Sequence, residues 1–147
     1  MAEAMGLDAC VYKNKANLPF DVEALGASFD PATGEYFFED VELDRKYPHE
    51  MFKAVSIRLG NIASIASIRE VLATVLENNS VVMSKIVYSG THAGDFLPLD
   101  LIAKLESEFI VIDKYLEKHD SMLVSQFVTD MRELVLAARR ERNPIVF

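Results

Sequence analysis

The sequence predicts an α+β fold, a small antiparallel sheet from the N-terminal third packed against about four helices. Three observations predict it. Leu7, Ala9 and Val11 alternate with Asp8, Cys10 and Tyr12, which is the period of a strand. Asp30-Pro31-Ala32-Thr33-Gly34 is turn chemistry between two apolar runs, Ala27-Ser28-Phe29 and Tyr36-Phe37-Phe38. In the last third, Leu101, Leu105, Phe109, Ile112 and Leu116 recur at helical spacing. A second stripe follows after His119-Asp120-Ser121: Val124, Phe127, Met131, Leu134, Val135 and Ala138. So short a connection predicts an antiparallel helix pair.

The remaining elements follow in chain order. The second hairpin strand is expected to run on through Val41 and Leu43. After Pro48, the spacing of Met51, Phe52, Val55 and Leu59 predicts a helix ending at Gly60, with Gly60 as a left-handed cap. Asn61 opens the next helix, over residues 62–77, with the stripe Ile65, Ile68, Leu72, Val75 and Leu76. Arg69 and Glu70 inside it suggest a buried ion pair. Residues 81–88 are rich in β-branched side chains, which favours a strand that joins the sheet, although periodicity does not exclude a helix. Pro98 suits the first turn of the following helix. Arg139, Arg140 and Arg142 complement the negative end of the last one. The apolar tail Ile145-Val146-Phe147 is expected to return to the sheet edge or the core.

A length of 147 residues is that of one domain, expected over residues 1–147, and half of them are hydrophobic. That is enough apolar material for a core without disulfides or a metal. The lone cysteine, Cys10, rules out an internal disulfide and any multi-thiolate zinc site, and is expected to be a small buried side chain. No stretch approaches the ~20 apolar residues of a membrane helix, and the first residues lack a signal-peptide pattern. A cytoplasmic protein is expected.

The net charge is −8, and residues 20–50 hold nine acids against two bases, Arg45 and Lys46. Such a surface repels phosphate backbones, so nucleic acid is excluded as a partner. It suits a basic protein partner, with Glu39, Asp40 and Glu42 as the contact residues.

Chemistry-bearing residues concentrate in Ser89-Gly90-Thr91-His92-Ala93-Gly94-Asp95, a polar loop with two glycines. Ser89, Thr91, His92 and Asp95 are the candidate functional residues. The glycines fit neither the Walker nor the dinucleotide pattern, and no Gly-x-Ser-x-Gly elbow accompanies Ser89. His49 and Glu50 after Pro48, together with Arg58 and Asn61, are supporting candidates. If the segments met, His49, Glu50, His92 and Asp95 would be donors for zinc, iron or manganese. The alternative for each is structural, with side chains bonding local amides and carbonyls. No cofactor is expected.

Met5-Gly6-Leu7-Asp8-Ala9-Cys10-Val11-Tyr12, Arg58-Leu59-Gly60-Asn61-Ile62-Ala63 and Tyr88-Ser89-Gly90-Thr91-His92-Ala93-Gly94-Asp95 together resemble a family of small bacterial cytosolic proteins of uncharacterised function. Phe127-Val128-Thr129-Asp130-Met131 and Pro144-Ile145-Val146-Phe147 fit the same resemblance, which makes Met5 the family-type start and the first four residues an extension. The His-x-Gly-Asp loop ahead of an amphipathic helix is loosely similar to immunity proteins of bacterial toxin systems. That resemblance implies a non-enzymatic protein-binding domain. The alternative is a small metal-binding protein or enzyme using the loop Ser89–Asp95. Self-association is compatible with both.

Overall fold

The computed structural model describes residues 5–147; the four-residue extension inferred above lies outside them. The alternating strand forms as expected: β1 (Gly6–Tyr12) sits inside a four-stranded antiparallel sheet. Its neighbour on one side is β4 (Lys53–Asn61), and on the other β6 (Ile145–Val146), which also pairs with β5 (Phe96–Leu97). The apolar tail returns to the sheet as expected, but inside it between β1 and β5 rather than at its edge.

Both faces of β1 are covered, which is why the strand is buried almost throughout. Leu7, Ala9 and Val11 face the main core, built with α2 (Ile62–Leu72), α3 (Ile102–Leu116) and α4 (Met122–Glu141). Cys10 and Tyr12 face a second, aromatic core with Val22, Phe38 and Phe52. Phe20 and Phe38 stack against Tyr47 and Phe52 at ring-centre distances of 4.4–6.0 Å. Cys10 is buried as expected, and burial pushes its thiol pKa up.

The helix pair is antiparallel: Asp113 pairs with Arg132, and Glu106, earlier on α3, pairs with Arg139, later on α4. Asn61 caps α2 by accepting from the Ser64 amide at 2.7 Å. Pro98 leads through a short 3-10 turn into α3.

Several expectations are corrected. Residues 53–61 are a strand, not a helix, and Gly60 lies within it without a left-handed conformation. The reason is cross-strand: Val55, Ile57 and Leu59 join the main core, while Ser56 and Arg58 face outward. Val41 and Leu43 do not extend the hairpin strand; they lie in a short helix, α1 (Val41–Lys46), started by the Asp40 cap. The helix expected over 62–77 ends at Leu72. Residues 81–88 do not join the sheet. They form a helical segment with a π-turn over Val82–Ile86, where the Val87 amide reaches back to the Val82 carbonyl. Buried Glu108 on α3 accepts from the Val81 and Val82 amides, both at 2.9 Å, and so caps that segment from a distance. Arg69 donates to the Val87 carbonyl and Glu70 is exposed, so they are no buried pair.

Candidate functional site

The glycine-bearing loop is fastened to the fold at four places. The Gly94 amide bonds the Phe147 carbonyl, and the Phe147 amide bonds the Asp95 carbonyl, each at 2.9 Å. At Gly90 the backbone approaches α2 so closely that a Cβ would stand 2.9 Å from the Ile62 Cα. His92 supplies the fourth tie. Its Nε2 lies 2.7 Å from the Ile86 carbonyl and its Nδ1 2.8 Å from Asp95 Oδ2. A carbonyl only accepts, so Nε2 carries hydrogen in this arrangement. The ring stacks on Tyr88 at 4.4 Å, with Phe147 at 5.1 Å, and its side chain is 7% exposed.

Asp95 also accepts from the Tyr88 hydroxyl, in a short bond. That bond first, and the His92 contact second, hold the Asp95 carboxyl below its usual pKa, and the same bond raises that of Tyr88. The His92 imidazole is therefore used inside the fold rather than offered to solvent. Ser89 accepts weakly from the Thr91 amide at 3.3 Å. An open cleft of about 320 Å³ lies beside the loop, lined by Ser84, Lys85, Tyr88, Gly94, Asp95 and Phe96. Neither Lys85 nor Tyr88 is among the functional residues that the sequence singles out. The signal that could have found them is the loop's position directly after the 81–88 segment.

The supporting candidates lie elsewhere. His49 Nε2 is 2.6 Å from Glu35 and 3.4 Å from the Tyr12 hydroxyl, and Glu50 pairs with Lys53 at 3.1 Å. Arg58 grips Asp8 through two nitrogens, at 2.8 and 3.0 Å. Asn61 is the cap of α2. Among the described residues no group of three or more His, Cys, Asp or Glu side chains is placed to hold a metal ion. The four-residue set of His49, Glu50, His92 and Asp95 thus does not assemble: His49 sits against Glu35 and Tyr12, whereas His92 and Asp95 sit against Ile86, Tyr88 and Phe147.

The acidic segment is built on the aromatic core. The hairpin of β2 (Ser28–Asp30) and β3 (Glu35–Phe37) turns at Gly34, whose φ of +80° suits glycine. A Cβ there would also stand 2.2 Å from Asn143 Oδ1, so the hairpin seats directly on the end of α4. Six of the nine acids have local work. Asp21, Asp30 and Asp40 accept from backbone amides at 2.9–3.1 Å. Glu23, Glu35 and Glu50 pair with Lys15, His49 and Lys53. Glu39, Glu42 and Asp44 are exposed, and their carboxylates make no hydrogen bond or ion pair with another described residue. Val41, between them in sequence, is 66% exposed. Asp40 belongs to the predicted contact set but is occupied as the α1 cap.

No described helix is long and apolar enough to cross a membrane. Comparison of the chain with family models, with curated proteins and with solved structures returned no match.

Proposed function

We propose that the chain is a non-enzymatic protein-binding module that docks a basic protein surface on its acidic face. The observation that carries this reading is the set of uncommitted carboxylates, Glu39, Glu42 and Asp44, around exposed Val41 on α1. They are desolvated at no loss of internal bonds, and the apolar side chain among them adds contact area. An enzyme built on the 89–95 loop has less support, because both ring nitrogens of His92 face acceptors inside the fold.

The resemblance to immunity proteins makes a basic bacterial toxin domain the first partner to titrate. Calorimetry between about 50 and 300 mM salt should show affinity falling steeply, since screening shortens with ionic strength. Reversal of Glu39 or Glu42 to Lys should weaken binding roughly three- to fivefold each, about 1 kcal/mol at an exposed pair. Asp40→Asn separates charge from structure, because Asn caps a helix as well as Asp. It should leave stability unchanged and weaken binding less than the two reversals. Salt-insensitive association, or none with any basic domain tested, would sink the reading.

A further inference from the structure

The outer edge of the sheet points to a second copy of this chain. β4 is an end strand: it pairs with β1 and with nothing on its other side among the described residues. It is nine residues long, against the five or six usual for a strand. Its middle is regular, with Asp8, Ala9, Cys10 and Val11 facing Arg58, Ile57, Ser56 and Val55 in unbroken register. No backbone hydrogen bond to another described segment reaches its outer amides or carbonyls. Val55 and Ile57 pack on the main core yet stay only partly buried.

Exposed edges are ordinarily blunted by proline, by free lysines or by bulges at mid-strand. β4 has no proline. Its two cations are engaged, Lys53 by Glu50 and Arg58 by Asp8. The register shifts skip Leu59 and Ala54 and leave the stretch Val55–Arg58 between them regular. The edge is therefore left competent to pair.

Self-pairing fits its charges. Counted residue by residue, an antiparallel pair about a two-fold axis at Ile57 spans Lys53 to Asn61, with the regular stretch Val55–Arg58 at its centre. Lys53 then faces Asn61, Val55 faces Leu59, Ser56 faces Arg58, and Ile57 faces itself. No like charges oppose, and the apolar residues of both copies fall on the helix-bearing side. Centring the axis on Arg58 would set guanidinium against guanidinium, and centring it on Ser56 would leave the end at Gly60 and Asn61 unpaired. We propose that β4 is a dimerisation strand, joining two copies into one eight-stranded antiparallel sheet with Ile57 on the two-fold axis. This is independent of the acidic face.

Residues opposed across a two-fold have Cβ atoms about 4.5–5.5 Å apart, a small approach short of the ~3.5–4.5 Å that a disulfide spans. Ile57→Cys should therefore cross-link to a covalent dimer under mild oxidation, whereas Val55→Cys, facing Leu59, should not. Native Cys10 is buried and stays out of the reaction. Sedimentation equilibrium of the unmodified chain should give twice its 16.5 kDa mass. A monomer at about 100 µM overturns the proposal. So does a dimer in which Ile57→Cys fails to cross-link, since another face then holds the copies together.

Discussion

Glu141 shows how a single carboxylate can hold distant segments together. It lies 3% exposed near the end of α4 and accepts from the Asn14 amide, the Asn17 side chain and Arg140 at 2.9–3.0 Å. Burial pushes its pKa up, but the bonds from Asn17, Arg140 and the Asn14 amide outweigh it, and the carboxyl ends below its usual value. A group with a depressed folded-state pKa stabilises above its unfolded pKa, about 4.3 for Glu, and loses that contribution as pH falls through the folded value. Glu141→Gln should cost about 1–3 kcal/mol at pH 7, from lost bonds to a charged acceptor. The difference from the unmodified chain should shrink below about pH 4 in urea titrations at several pH values. Asp95 offers a second test at this scale. Tyr88→Phe removes the main cause of its depression, so its carboxyl should titrate at higher pH than in the unmodified chain when followed by carbon NMR. The sequence made His92 and Asp95 visible as a loop pair. It did not show that Tyr88 and Phe147 would enclose the ring, because those contacts join the loop to the preceding helical segment and to the chain's last residue.

Elements whose partners are local were legible, and so were strands with a single clear period, but segments whose pattern fitted two periods were decided across the fold. The 28–37 hairpin, the Asn61 cap and the α3–α4 pair each follow from residues near one another in sequence. At 53–61, both periods were written in the chain. Met51, Phe52, Val55 and Leu59 suit a helix, whereas Val55, Ile57 and Leu59 alternating with Ser56 and Arg58 suit a strand. Pairing with β1, more than forty residues earlier, decides the matter. At 81–88 the β-branched run was overridden by burial, since Val81, Val82, Met83, Ile86 and Val87 all enter the main core. The start of that segment depends on Glu108, whose two oxygens each serve one amide. Glu108→Ala should leave two buried donors unsatisfied, at about 1–3 kcal/mol each. Glu108→Gln keeps one acceptor oxygen and should cost about half as much. Urea denaturation of the two variants checks the ratio, and equal losses would mean that packing, not capping, dominates there.

The whole molecule is organised by a sheet with unequal layers: helices over one face, and the aromatic core with the acidic segment over the other. The two layers meet chiefly through β1, whose alternate side chains belong to different cores. Phe109 anchors the helical side at 1% exposure and Phe52 the aromatic side at 3%. Truncating either to Ala should cost about 3–5 kcal/mol if its surroundings do not collapse. Their spatial reach should differ. Phe109 lies in the core that α2, α3, α4 and the sheet share, so Phe109→Ala should lower protection of amides throughout those elements. Phe52 touches Phe20 and Phe38 in the smaller core, which packs the 18–52 segment against Cys10 and Tyr12 of the sheet. Phe52→Ala should therefore speed amide exchange in β2, β3 and α1 while β1 and α4 stay protected, as expected of a local opening. Because α1 and the residues just before it carry the exposed carboxylates, the same variant should weaken binding of a basic partner without removing any of their charges. Exchange that rises equally across α4 would show instead that the two layers unfold as one unit.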